Sequence, residues 1–259
     1  MNQSERRQYL IRSLLAENGR LQGVRIPASA EEQKLLLRGL MNIRMPAEAE
    51  DAFLTVQDEY LSEEIRSRGI CDIDELQPVR DGLYLWQGDI TALRCDAVVN
   101  AANSGMTGCY VPNHRCIDNC IHTFAGVQLR LECAELMERQ GYEEPTGRAR
   151  ITRAYNLPCR YVLHTVGPII AGRVTERDRA LLASCYRSCL ELAAENGLES
   201  VAFCCISTGE FHFPNREAAG IAVGTVQEFM KKDTSVRRVI FNVFKDTDRE
   251  IYSRLLCKD

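Results

Sequence analysis

The hydrophobic positions of this chain change period part-way along it. From residue 1 to about 75 they recur at helical spacing. Leu10, Ile11, Leu14 and Leu15 predict a first helix that Gly19 can end. Ser29-Ala-Glu-Glu32 has the form of a capping box ahead of Leu35, Leu36, Leu40 and Met41, which predict a second helix. Pro46 suits the first turn of a third, with Phe53, Leu54, Leu61 and Ile65 on its apolar face and Gly69 as its stop. This region, taken as residues 1–78, contains no Gly-rich or metal-type pattern and reads as a helical packing subdomain or lid.

Near Gly82 the pattern becomes one of short strand-like runs alternating with amphipathic helices. Strands are predicted at Leu83–Gln87, Ala97–Asn100, Arg148–Ala154, Tyr161–Val166, Val201–Ile206 and Arg238–Phe244. Helices are predicted at Arg130–Arg139, Glu176–Glu195, Asn215–Lys231 and Asp246–Leu256. The alternation implies an α/β layered domain over residues 79–259 with a mostly parallel sheet. Such sheets bind ligands beyond the carboxyl ends of their strands. Function is therefore expected in the loops after Gln87, Val99, Ile206 and Phe244.

Composition narrows the classes. A chain of 259 residues, 45% hydrophobic, fits one large domain or a domain plus a subdomain. The formal net charge of -4 argues against a nucleic-acid partner, since gripping phosphate backbones takes a basic excess. Apolar runs such as Val201–Ile206 stop well short of the roughly 18 residues of a spanning helix, so no membrane partner is expected. The first residues lack the apolar core of a signal peptide, and a cytoplasmic protein is expected. The 12 cysteines then read as buried thiols, metal ligands or reactive groups rather than a disulfide framework. Cys95, Cys133, Cys185, Cys189, Cys204 and Cys205 sit in apolar segments and read as small core hydrophobes.

Four loop features remain. Gly88-Asp89-Ile90-Thr91 follows a strand; its carboxylate could cap the next helix or accept from the amino group of a base. Asn100-Ala-Ala-Asn103 could serve a turn, or point amide groups at ligand hydroxyls. Ser207-Thr208-Gly209-Glu210-Phe211 precedes a helix and could present backbone N–H groups to phosphates, without the lysine of a P-loop. Gly108-Cys109-Tyr-Val-Pro-Asn-His114-Arg-Cys116 gathers two thiols and an imidazole, a donor set that suits zinc. By spacing alone the cysteine-rich composition allows a chance cluster. Three protein ligands with an open position is the catalytic pattern, whereas Cys120, one helical turn after Cys116, could close a structural site. His122 and His164 lie in apolar segments and read as satisfied core histidines. His212 could line the pocket mouth or face solvent.

In combination and in this order, these loops resemble the macrodomain family over roughly residues 82–256. The N-terminal helices together with Cys109, His114 and Cys116 resemble its zinc-dependent bacterial and fungal subgroup. The resemblance implies a three-layer α/β/α fold with a mostly parallel mixed sheet, preceded by a small helical region. It implies binding of ADP-ribose, a Zn2+ cofactor, and removal of mono-ADP-ribose from modified proteins, in some bacteria from a lipoylated carrier protein modified by a linked sirtuin. A non-catalytic ADP-ribose reader and an O-acetyl-ADP-ribose deacetylase are the alternatives it leaves open. Residue by residue, Asp89 would accept from adenine with Ile90 alongside. Asn103 would contact the distal ribose. Cys116, Ile117 and Asp118 would lie near that ribose and the diphosphate. Ser207, Thr208, Gly209, Glu210 and Phe211 would wrap the diphosphate, and Phe244 would stack near adenine. Zinc could orient ribose hydroxyls, polarise the leaving group or lower the pKa of a water. Two thiolates neutralise its charge, so orientation could matter as much as activation. Asn103 would then be a positioning catalytic residue and Asp118 the general base, although a first-turn carboxylate favoured by the helix dipole is an equal reading of Asp118.

Overall fold

A computed structural model describes residues 1–21 and 23–257 of the chain. Three helices come first: α1 (Gln3–Glu17), α2 (Ala30–Ile43) and α3 (Asp51–Ser67). Ser29 caps α2, its hydroxyl accepting from the Glu32 N–H at 3.1 Å. Pro46 does not open α3, which begins at Asp51. The intervening segment is extended because the Arg44 guanidinium takes the carbonyls of Ala47 (2.9 Å) and Glu48 (3.0 Å), acceptors that a helix would have used. Leu10, Ile11, Leu14, Leu37, Leu40, Phe53 and Leu61 form a small core of their own.

The remainder builds a sheet between helices. In chain order it contains β1 (Cys71–Asp72), β2 (Leu83–Gln87), β3 (Leu93–Arg94), β4 (Ala97–Ala102), α4 (Ile117–Ala125), α5 (Val127–Gln140), β5 (Ala149–Arg153), β6 (Tyr161–Val166), α6 (Glu176–Glu195), β7 (Ser200–Phe203), α7 (Asn215–Phe229), β8 (Arg238–Val243) and α8 (Asp246–Leu256). The main sheet runs β2-β8-β7-β4-β6-β5, with every neighbour pair parallel except β5 against β6. The tiny parallel pair β1–β3 lies apart from it and carries no periodic signal in the sequence. Helices α6, α7 and α8 pack side by side on one layer, and α4 with α5 on the other, giving the expected three-layer α/β/α fold.

Central parallel strands are covered on both faces, so they read as continuous apolar runs. Val98 and Val99 of β4, Val201 and Ala202 of β7, and Val239 and Ile240 of β8 are all fully buried. The helical region is seated on α4 and α5: Val127 belongs to its core and Phe124 packs against it. Gln57 of α3 also caps α5, its side-chain oxygen accepting the Val127 N–H at 2.9 Å. Each large apolar side chain buried there contributes about 1.5–3 kcal/mol relative to exposure, enough for a handful to hold α1–α3 in place.

Several strand ends differ from the sequence reading by one to three residues, and two of these differences shape the site. β4 continues to Ala102, two residues past the predicted strand end at Asn100, so Asn100 lies inside the sheet and not at its edge. β7 stops at Phe203, and the chain turns away through Ser207, whose φ is 64°. From β4 the sheet proceeds to β6 on one side and β7 on the other. The carboxyl end of β4 is thus where sheets of this kind place a ligand crevice.

Candidate active site

The Cys/His loop leaves β4 and returns as the N-terminus of α4. Cys109, His114 and Cys116 converge there, their donor atoms within 4.8 Å of one another. The Cys109 Sγ to His114 Nδ1 distance is 3.6 Å. Tetrahedral zinc with ordinary bond lengths sets sulfur and nitrogen ligands about 3.5 Å apart, so the donor set fits that ion in chemistry and in spacing. Cys116 is also the N-cap of α4, its Sγ accepting from the Asn119 N–H at 3.4 Å. Burial pushes the Cys116 thiol up to about 12, against the Asn119 N–H, which favours the thiolate.

Gly108 lets the loop lie against α4. Its φ is 85°, and a Cβ there would stand 2.8 Å from the His122 ring. Gly108→Ala is expected to cost roughly 2–4 kcal/mol, from left-handed backbone and steric overlap together, visible as a lowered thermal midpoint.

Beneath the loop, Asp118 is buried in the first turn of α4. The Asn100 amide donates to Oδ1 at 2.8 Å and the Asn103 amide to Oδ2 at 3.2 Å. Burial pushes the Asp118 carboxyl up to about 6, opposed by these two amides and by the charge of Arg130. In this placement Asp118 is a first-turn carboxylate of α4. Asn103 donates as well to the Gly108 carbonyl at 3.1 Å, tying the end of β4 to the loop.

Asn100 turns inward. Its amide also reaches His164 Nδ1 at 3.1 Å. Because Nδ1 accepts that bond, the ring proton sits on Nε2, facing Thr152 Oγ1 at 2.9 Å. His164 is therefore the satisfied core histidine expected, held neutral by burial, its pKa down to about 3. His122 departs from that expectation: both its ring nitrogens are buried without a hydrogen-bond partner, and Asp118 Oδ1 lies 3.6 Å from Nε2. The donor atoms of His122, Cys133 and His164 also lie within 4.8 Å of one another, but His164 is already committed to Asn100 and Thr152.

After β2, Asp89 caps the turn Ile90–Ala92. Its Oδ1 accepts from the Thr91 N–H (3.0 Å) and hydroxyl (2.6 Å), and its Oδ2 from Arg68 Nη1 at 2.7 Å. Arg68 ends α3 and stacks 3.8 Å above the Phe124 ring. A base amino group at Asp89 would share Oδ2 with this guanidinium, a neighbour that sequence spacing does not disclose. Ile90 is buried beside it. Phe244 is 77% exposed at the end of β8.

The segment Ser207–Phe211 borders the crevice after β7. Ser207 is buried with its hydroxyl unpartnered, and a Cβ at Gly167 would overlap that hydroxyl. The Ser207 carbonyl accepts from the Phe213 N–H at 2.9 Å, and the Gly209 carbonyl from the His212 N–H at 3.0 Å, closing a tight loop. Glu210 Oε1 stands 3.7 Å from His114 Nε2. The Ser207–Phe211 segment and the Cys/His loop thus approach each other at Glu210 and His114.

Among the described residues no helix is long and apolar enough to cross a membrane. The sequence profile of the Macro domain family matches residues 99–222. A protein-ADP-ribose hydrolase from Treponema medium is 58% identical over 260 residues, covering 99% of this chain and all of the relative. Its counterpart in Staphylococcus aureus (strain MSSA476) is 48% identical, covering 98% of this chain and 96% of the relative. Among solved structures, the Trypanosoma brucei macrodomain in complex with ADP-ribose superposes with a TM-score of 0.65 at 32% identity, covering 85% of this chain and 94% of that one.

Proposed function

The chain belongs to the macro domain family, and on that premise we propose that it removes mono-ADP-ribose from modified proteins, cleaving at C1 of the distal ribose with zinc held by Cys109, His114 and Cys116. The observation that carries this reading is the convergence of those three donors at the carboxyl end of β4, with Asp118 and Asn103 beside them. Relatives called protein-ADP-ribose hydrolase align along nearly the whole chain, the N-terminal helices included, which supports hydrolysis over simple reading.

In this reading adenine lies at Asp89 and Ile90. The diphosphate crosses Ser207, Thr208, Gly209, Glu210 and Phe211. The distal ribose meets Asn103, Cys116 and Ile117. When bound, zinc supplies a positive charge at that ribose, with Lewis-acid chemistry for the scissile bond. Asn103 aims the ribose, and Asp118 takes the proton of the attacking water. Glu210 lies near the His114 ring, its Oε1 3.7 Å from Nε2. A lipoylated carrier protein modified by a sirtuin is the first target to try.

Metal binding should depend on pH with a definite sign. The Cys116 thiol is raised by burial and must deprotonate to ligate. Zinc affinity is therefore expected to fall at least about tenfold for each pH unit below neutrality, measured by chelator competition.

The activity itself is tested with an ADP-ribosylated target protein and linkage-resolved detection. Release of free ADP-ribose is expected, from acidic-residue or serine linkages. Tight retention of the modified protein with no release would make the chain a reader.

A further inference from the structure

The N-terminal helices touch the Cys/His loop through a few polar side chains, and one of these is placed to decide its coordination. Arg38, on α2, extends a single nitrogen, Nη2, to the His114 carbonyl (2.8 Å), Asn119 Oδ1 (3.0 Å) and Cys120 Sγ (3.4 Å). Its Nε is left buried without a partner. The guanidinium is drawn to these three acceptors even at the cost of another donor.

Each acceptor bears on the same loop. The His114 carbonyl is the backbone of a metal-type ligand. Asn119, oriented by Arg38 through Oδ1, donates from its amide to the carbonyls of Cys109 (3.3 Å) and Val111 (3.0 Å), spanning the loop. Cys120 is the thiol one turn beyond Cys116, and it lies outside the trio whose donors converge. Asn42, one turn after Arg38 on α2, adds a second strut. Its Oδ1 accepts the Asn113 N–H and its amide donates to Thr123 Oγ1, both at 2.9 Å.

We propose that Arg38 is a positioning residue of the metal site: it holds the His114–Cys116 backbone in register over α4 and keeps Cys120 engaged outside the coordination sphere. The proposal rests on the zinc reading above and deepens it. Three protein ligands and an open position make a site where substrate can approach; a third thiolate would close it into a structural one. The helical region then serves as the frame that keeps the site open.

Cobalt(II), loaded into the full-length protein in place of zinc, reads the number of thiolates from its sulfur-to-metal charge-transfer band. The native chain is expected to show a two-thiolate band, and Cys120→Ala to leave that band unchanged. Arg38→Met, which keeps the apolar stem, is expected to raise the band by about one half as Cys120 joins, two thiolates becoming three. Arg38→Met with Cys120→Ala should restore the two-thiolate band. An Arg38→Met protein with native band and native cobalt affinity overturns the proposal. So does a Cys120→Ala protein that loses a third of the band, because Cys120 would then already be a ligand. A native chain that binds no cobalt sinks the zinc reading itself, an outcome distinct from both.

Discussion

Replacing Cys109 with alanine is expected to abolish zinc binding and to lower release of ADP-ribose from a modified protein about a thousandfold. The expectation follows from ligand count. Cys109, His114 and Cys116 are the donors that converge at the end of β4, and His114 and Cys116 alone leave a weak two-point site. Losing the metal removes several kcal/mol of stabilisation of developing charge, and about 4 kcal/mol corresponds to three powers of ten in rate. The fold should survive, because the loop is also pinned by Asn103 on the Gly108 carbonyl and by Asn119 on the Cys109 and Val111 carbonyls. Metal content and turnover measured on the same preparation, with a thermal melt as control, check this directly. A metal-free Cys109→Ala protein that turns over at the native rate would remove zinc from the mechanism.

Asp118→Asn is the second large effect expected: a loss of about a hundredfold or more in kcat, with a comparatively small change in stability. A positioned general base contributes roughly 10²–10⁴-fold, and an amide cannot accept the proton. For stability two terms oppose. In the native chain Asn100 and Asn103 both donate to this carboxylate, and an amide can accept from only one of them in the same pose. The donor left facing an N–H costs about 1–3 kcal/mol. Against this, burial raises the Asp118 carboxyl from 3.8 to about 6. A raised folded-state value means stability that is present below about 3.8 and lost as pH rises through about 6. At pH 8 the metal-free native chain therefore carries a penalty on the order of 3 kcal/mol that the variant lacks. Melts of both metal-free proteins at pH 5 and pH 8 should show the variant gaining on the native chain at the higher pH. A kcat loss that merely tracks a collapsed melting temperature would assign Asp118 to the fold.

Long periodic elements are legible in the sequence, because burial on one helix face or on both faces of a parallel strand leaves a strong repeat. Leu83–Gln87, Tyr161–Val166, Glu176–Glu195 and Asp246–Leu256 coincide with elements of the structure. The errors fall where tertiary contacts override local preference. Pro46 looks like a helix start, but Arg44 spends the nearby carbonyls on its guanidinium. Asn100 looks like the last residue of its strand because a polar side chain within a buried strand is unusual. It is tolerated there because Asp118 and His164 accept its N–H bonds.

The Cys/His cluster was legible because its three residues are close in sequence. Its frame was not. Arg38 is 76 residues from His114, and Arg68 is 21 from Asp89, with no periodicity linking either pair. Glu210 was legible as part of a phosphate-type loop, whereas its approach to His114 depends on how β4 and β7 sit side by side. What spacing cannot express is which loops share one end of the sheet, and that is what assembles this crevice.

The central claim is that ADP-ribose release depends on metal at Cys109, His114 and Cys116. The most direct measurement strips the full-length protein of metal and titrates zinc back while following free ADP-ribose released from a mono-ADP-ribosylated protein. Release is expected to be near zero at the start and to rise with added zinc until about one ion is bound per chain, as three ligands around one site require. A stripped protein that releases ADP-ribose as fast as the loaded one, with no response to zinc, would contradict the account.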